Sequence, residues 1–462
     1  MLHRVLKNTS IYLSGEVFGR LAVFALVPVY TVLLPPEELA LWGLGAMMFQ
    51  GLNVLYGLGT QGALPQLQYP LLDKPAELRS TNGSAAMMLL LWGPSLHLAL
   101  EALAPTLLVR WVPGLAWDPY GRIISLTCLA SVVGIVPIAR WTTTEQARPY
   151  VASSMIRSLV EFAATLGLLL STELGVVALF LGRFAAHAAL ALPLLGLTLR
   201  AVKWGIRLRE LRSVLGFALP LIPDLLAMWT LTMADRLFLA WLADDRELGL
   251  YTAAYWFPLA MGLVAININR AWAPTFHTRY ADRSSLPMLR RSSTAFLLSM
   301  SWLGVMVMVL APDVVRLGFG SDYRDAAIIA AVLGALGPLL GAWQLVVAPL
   351  YAHAKRFAIP AVTGTAALLG CGLDVWAIPL WGATGAAVAT VVAYGALVVM
   401  GWLATRDLTR APLDLGLVLR GGGVLAGVLA LSWAGPSGVV GAGFDLLLLV
   451  AAGGWLLRSF RD

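Results

Sequence analysis

The sequence predicts an all-α polytopic membrane protein. It should have about fourteen transmembrane helices: two six-helix lobes in a parallel pseudo-twofold repeat, plus two extra C-terminal helices. Three observations carry this. The 462-residue chain is 59% hydrophobic and only 12% charged, about half the charge fraction of a soluble protein. Its apolar residues fall in runs of about twenty, the length a helix needs to cross a hydrocarbon core. Basic residues concentrate in every second link between the runs, which orients a bundle by the positive-inside rule.

The first run, 11–34, is too long for a cleavable signal, carries Glu16 and Arg20, and ends without a small-residue cleavage site. Runs at 39–64, 85–109, 120–142, 151–171 and 175–199 complete an N-lobe over 1–199. The link 200–212 reads as a cytoplasmic amphipathic helix with Trp204, Leu208 and Leu211 on one face. A C-lobe over 213–405 holds runs at 214–241, 250–276, 295–318, 326–352, 357–380 and 383–405. The last pair, 415–433 and 439–457 within 406–462, has the weakest pattern, so twelve spans are the alternative.

With the N-terminus inside, about 21 basic residues lie in inside links and five in outside ones: Arg110, Arg122, Arg246, Arg316 and Arg324. Both termini are then cytoplasmic in a bacterial inner membrane. The same asymmetry accounts for most of the net charge of +7, so basicity here does not point to nucleic acid. The cluster 200–212 reads first as a topology signal and only second as an attractor of anionic lipid headgroups.

An internal repeat supports two lobes. Glu38-Leu39-Ala40-Leu41-Trp42 matches Glu247-Leu248-Gly249-Leu250-Tyr251, and Gly175-Val176-Val177-Ala178 matches Gly385-Ala386-Ala387-Val388. Both matches have a period of about 210 residues. An even number of spans per copy gives lobes of like orientation, related by an axis along the membrane normal and able to rock for alternating access. Within spans, Gly182, Gly334, Gly337, Gly364, Gly370 and Gly372 suit close helix approach. Pro220, Pro223, Pro258, Pro338 and Pro349 interrupt the seventh, eighth and tenth spans.

Ionisable groups inside a membrane are costly and face a bundle interior or a wet cavity. Glu16 to Arg20 and Arg157 to Glu161 have i,i+4 spacing, which suits intrahelical ion pairs. Asp224 and Asp235 are eleven residues apart on one face of the seventh span; Asp374 lies in the eleventh. Asn267 and Arg270 share a face, whereas Arg183 and Arg270 have no acid three or four residues away. Arginines from both lobes around a cleft suit an anionic ligand, since guanidinium stays charged and forks onto phosphate oxygens. The competing reading is that each pairs with an acid on a neighbouring helix and fixes packing. His97 and His187 read better as hydrogen-bonding struts than as proton relays.

Other chemistry finds little support. No G-x-x-x-x-G-K-[ST] loop, G-x-S-x-G elbow or H-E-x-x-H pair occurs. The two cysteines, Cys128 and Cys371, fall inside spans and give neither a disulfide framework nor a metal site. No cofactor is expected; H+ or Na+ is the candidate coupling ion.

The stretch Gly216-Phe217-Ala218-Leu219-Pro220-Leu221-Ile222-Pro223, followed by Met233-Ala234-Asp235-Arg236-Leu237-Phe238-Leu239, Leu248-Gly249-Leu250-Tyr251 and Arg270-Ala271-Trp272-Ala273-Pro274, resembles the polysaccharide flippases of the multidrug/oligosaccharidyl-lipid/polysaccharide exporter superfamily. Asn8-Thr9, leading into a span with a central arginine, is similar too. The resemblance implies a MATE-like fold and movement of an undecaprenyl-pyrophosphate-linked glycan between leaflets for O-antigen, capsule or exopolysaccharide assembly. Its partners would be membrane lipid, a polymerase and other surface-polysaccharide assembly proteins. It further implies that Arg20, Arg183, Arg270 and Arg157 line a cationic cleft. A gating, ion-pair or coupling group would comprise Glu16, Glu161, Asp224, Asp235, Arg236 and Asn267. The chain departs from the family in the low serine and asparagine content of its cleft helices, which weakens any reading of sugar contacts. Two alternatives stand: a cation-coupled multidrug exporter, which calls for an acidic cleft, and a membrane polymerase or ligase, which calls for a large outside loop.

Overall fold

The computed structural model describes residues 24–279, 282–352, 358–406, 413–434 and 439–459. All regular elements among them are helical. Ten helices are long and apolar enough to cross a membrane, or eleven if the bent pair Trp117–Val132 and Ile135–Thr143 counts as one span. The expected fourteen is not reached by this count. Most of the first run lies outside the described residues. The eleventh and twelfth runs are two helices that meet without a link at Gly382, whose backbone is non-helical at φ +56°.

The chain packs as two units, Met1–Trp229 and Thr230–Asp462. The boundary falls inside a helix, C-terminal to the polar link 200–212. In the first unit the helices are α1 (Leu26–Leu33), α2 (Pro36–Gly57), α3 (Thr60–Gln68), α4 (Pro75–Trp111), α5 (Arg122–Val132), α6 (Ile135–Thr143), α7 (Ala147–Ser171), α8 (Val177–Ala201), α9 (Leu208–Ala218) and the start of α10 (Ile222–Leu242). α7 lies along α8, and α5 packs between α2 and α8. A Cβ on Gly182 of α8 would stand 2.0 Å from Thr165 Oγ1 of α7, so only glycine permits that approach.

The second unit holds the rest of α10, then α11 (Asp245–Ala254), α12 (Trp256–Arg279), α13 (Leu286–Gly318), α14 (Ala326–Gly334), α15 (Leu336–Ala352), α16 (Ala358–Thr405), α17 (Leu415–Ala434) and α18 (Val439–Ser459). α14 packs against α11 and α16, as α5 does against α2 and α8. Gly334 and Gly337 meet Gly304 of α13 at backbone distance, whereas Gly364 and Gly372, expected to pack, face open space. The C-terminal pair α17 and α18 closes on α13 through Val305, Val309, Leu425, Val428 and Leu449. The Trp302 indole donates to Leu449 O at 3.0 Å.

Proline restarts helices at three places. Pro223 is the second residue of α10, after a 3₁₀ turn at Leu219–Leu221; Pro258 and Pro338 are the third residues of α12 and α15. In a first turn the missing N–H costs nothing, which is why a break, rather than a strained continuous helix, forms there.

The repeat is visible as a duplicated cap. Glu38 at the start of α2 accepts the Val176 amide at 2.7 Å, beside Gly175 at φ +54°. Glu247 at the start of α11 accepts the Ala383 amide at 2.7 Å, beside Gly382 at φ +56°. Each carboxylate therefore caps a helix that starts at a left-handed glycine, where charge and free N–H groups complement each other. Gly175 corresponds to Gly382, not to Gly385 as the sequence match suggests. Gly385 instead lies against the backbone, where a Cβ would come 2.2 Å from Ala377 O.

Only part of the link is the expected helix: residues 208–212 open α9. Residues 203–207 run without helical structure along α4. Lys203 N donates to Arg79 O at 2.9 Å, Ser84 Oγ to Gly205 O at 3.3 Å, and Arg207 N to Ser84 Oγ at 3.2 Å. These contacts to α4 use the backbone groups that a helix would have kept for itself.

Candidate substrate cavity in the first unit

The first unit encloses a cavity of about 690 Å³ between α2, α3, α5, α6, α7 and α8. Three short polar series build it. From α2 and α3 come Gln50, Asn53 and Gln61; from α5 and α6, Ser131 and Thr142; from α7, Tyr150, Ser153, Ser154 and Arg157. His187 of α8 completes the wall. The α7 residues recur every three or four positions, so a single helix face delivers them.

Some of these groups are held in place by neighbours. Asn53 Nδ2 donates to Phe49 O at 3.0 Å, and its Oδ1 accepts from Ser131 Oγ at 2.9 Å. The His187 ring sits 5.7 Å from the Phe49 ring. Serine and asparagine are few on these helices, as expected, but those present converge on the cavity.

Arg157 is half-buried, and among the described residues no carboxylate pairs with it. The expected i,i+4 pair with Glu161 does not form. Glu161 Oε1 instead accepts from Arg183 Nε at 3.2 Å, across from α7 to α8. The Arg183 guanidinium also lies 4.1 Å from the Trp42 ring centroid and 5.4 Å from that of Phe49. Arg183 is thus neutralised and stacked beside the cavity, as in the packing reading of the sequence. No Asp or Glu occurs among the residues lining the cavity.

The other candidates that the structure describes do not line this cavity. Glu16 and Arg20 lie outside the described residues. Asp224 is in the first turn of α10. Arg270 stands exposed on α12 of the second unit. Nearby in sequence, Asn267 Nδ2 donates to Leu263 O at 2.9 Å while its Oδ1 is buried without a partner. Asp235 and Arg236 are buried together: Arg236 Nη1 donates to Asp235 Oδ1 at 2.9 Å. Tyr251 OH donates to Asp235 Oδ2 at 2.5 Å, and the guanidinium lies 4.2 Å from the Tyr255 ring centroid. Asp374 is also buried in this unit, with Oδ1 unpartnered. Among the described residues no group of three or more His, Cys, Asp or Glu could hold a metal ion. His97 hydrogen-bonds Ser125 Oγ at 2.8 Å, and Ser125 bonds Tyr56 OH at 2.6 Å, tying α4, α5 and α2 together.

Apolar helices long enough to span, around a polar chamber with an arginine in its wall, mark a multi-pass membrane protein. The chain belongs to the family described as polysaccharide biosynthesis protein, which matches residues 32–328. In fold it is similar to a structure of "Lipid II flippase MurJ, inward closed conformation", at 14% identity and a TM-score of 0.79, covering 98% of this chain and 99% of that one. It is also similar to an inward-facing multidrug resistance MATE family transporter of the MOP superfamily, at 16% identity and a TM-score of 0.68, covering 86% of this chain and 97% of that one. A MOP superfamily transporter from Pyrococcus furiosus, described as having a binding pocket of reverse polarity, aligns at 16% identity and a TM-score of 0.60, over 87% of this chain and 94% of that one. These likenesses bear out the expected MATE-like fold. No curated protein matches the chain.

Proposed function

We propose that the chain is a flippase that moves a polyprenyl-pyrophosphate-linked oligosaccharide from the cytoplasmic to the periplasmic leaflet of a bacterial inner membrane, by alternating access, for surface polysaccharide assembly. The observation that carries this reading is Arg157, paired with no carboxylate among the described residues, in a hydroxyl- and amide-lined cavity whose lining residues include no Asp or Glu. Its volume of about 690 Å³ falls within the ~300–1,000 Å³ of small-ligand sites. A guanidinium about 4 Å from a phosphate oxygen gains roughly 4 kcal/mol per unit charge at an effective dielectric of 20. The amides and hydroxyls of Gln50, Asn53, Gln61, Ser153 and Ser154 suit the sugar, leaving the polyprenyl chain in lipid.

A cationic drug fits this cavity poorly, because Arg157 repels it and no carboxylate among the lining residues attracts it. For energy coupling, the buried Asp374 with its unpartnered oxygen is the residue we assign to uptake of H+ or Na+. The test is complementation of a strain lacking its own copy. Arg157→Gln should abolish surface glycan at normal protein level, whereas Arg148→Gln, outside the cavity, should restore it. Full glycan from Arg157→Gln would reject the assignment.

A further inference from the structure

A second cavity, of about 550 Å³, lies at the arginine-rich end of the first unit. It collects three guanidinium side chains from three helices: Arg79 of α4, Arg140 of α6 and Arg200 of α8. No Asp or Glu lines it, and no carboxylate among the described residues pairs with any of the three. Arg140 and Arg200 sit in the last turns of their helices, where the dipole favours a cation. Arg79 does not share that explanation: it lies near the start of α4, the end that favours acids. Helix dipoles therefore do not account for the cluster.

Neutral donors complete the site. Asn82 is 3% exposed and lines the cavity. Its Oδ1 is taken by Gln68 Nε2 at 2.8 Å, and Gln68 Oε1 accepts from Thr143 Oγ1 at 2.9 Å. That relay holds the Asn82 amide with its Nδ2 left over as a donor. The bond from Lys203 N to Arg79 O at 2.9 Å pins the link against the same wall. Three cations and an oriented amide donor match a phosphate bearing more than one negative charge.

A small apolar gap of about 10 Å³ borders this site, with room for about one water and none for a lipid chain. It shares Val136 and Thr198 with the cavity and runs between α4, α5 and α8 past Leu89, Leu90 and Leu195. The neighbouring α8 surface exposes Leu192 and Leu199. A cationic pocket beside an exposed apolar helix face, with Leu197 in its own lining, fits an amphiphile better than a free anion. We propose that this second cavity binds the phosphate headgroup of an anionic membrane lipid, with its chains along the exposed apolar face of α8. The site is separate from the Arg157 cavity and does not depend on the flippase reading.

The test uses the full chain, purified and titrated with dioleoyl phosphatidate, dioleoyl phosphatidylcholine or inorganic pyrophosphate, with retention read by native mass spectrometry. Phosphatidate should bind at least about tenfold more tightly than phosphatidylcholine or pyrophosphate. Arg140→Gln and Arg200→Gln should each weaken phosphatidate about tenfold, as loss of a charge-assisted contact does. The control Arg148→Gln, outside the cavity, should stay within about twofold of wild type. Circular dichroism and melting confirm that the variants fold. Equal loss in Arg148→Gln, or no loss in an Arg79→Gln/Arg140→Gln/Arg200→Gln variant, overturns the site. Pyrophosphate binding as tightly as phosphatidate overturns the lipid as its occupant.

Discussion

Glu161 stands four residues after Arg157 on α7, yet its Oε1 lies 3.2 Å from Arg183 Nε on α8. The acid that spacing assigns to Arg157 is spent on another helix. That one exchange turns Arg183 into a packing group and leaves Arg157 as a cation lining the cavity.

Breaking the exchanged pair should show in stability before function. Glu161 and Arg183 are 12% and 19% exposed at their side chains, so Arg183→Gln leaves a largely buried carboxylate without its partner, a cost of about 3 kcal/mol. We expect a lower melting temperature for Arg183→Gln and recovery in Glu161→Gln/Arg183→Gln. A double variant no more stable than the single one would contradict the pairing.

Asp235 and Arg236 should behave in the same way, more strongly. At 4% and 3% exposure the pair is sealed, so Asp235→Asn should cost about 3–5 kcal/mol by leaving the guanidinium uncompensated. Asp235→Leu/Arg236→Met should regain much of that. Melting of the purified variants reads both.

The duplicated caps give an additive prediction. Glu38→Gln and Glu247→Gln each weaken a charge-assisted bond to a helix N-terminus, worth about 1–2 kcal/mol. Since the two caps share no partner, the double variant should show the sum. Gly382→Ala should cost a similar ~1–2 kcal/mol through its left-handed backbone, and more because the added Cβ would stand 2.7 Å from Glu247 Oε2.

Asp374→Asn should uncouple transport without unfolding the chain. The substitution keeps the shape while removing the charge, so binding of a lipid-linked glycan should persist and gradient-driven flipping should fall about tenfold or more. Unchanged flipping under an imposed H+ or Na+ gradient would remove Asp374 from that role.

Much of this architecture was legible in the sequence because membrane helices must satisfy their own backbone and so announce themselves by composition. The proline breaks at 223, 258 and 338 were legible for the same local reason. What one dimension hid was partnership. Arg157 and Glu161 are near in sequence, but α7 and α8 lie side by side, and the interhelical contact won. The polar stripe Tyr150, Ser153, Ser154, Arg157 is an i,i+3/i+4/i+7 series, visible by helix face and hidden in the overall composition. Residues 203–207 of the link carry an amphipathic pattern yet are not helical, since their backbone bonds go to Arg79 and Ser84. The repeat register slipped by three residues because glycine identity was matched, whereas the left-handed backbone of Gly382 marks the true counterpart of Gly175.

The most direct measurement of the central claim is flipping of a fluorescent polyprenyl-pyrophosphate disaccharide in proteoliposomes, comparing wild type, Arg157→Lys and Arg157→Gln. The account predicts partial activity with lysine and loss of at least about tenfold with glutamine, at equal melting temperature. Glutamine-variant flipping at the wild-type rate would show that the phosphate is held somewhere other than at Arg157.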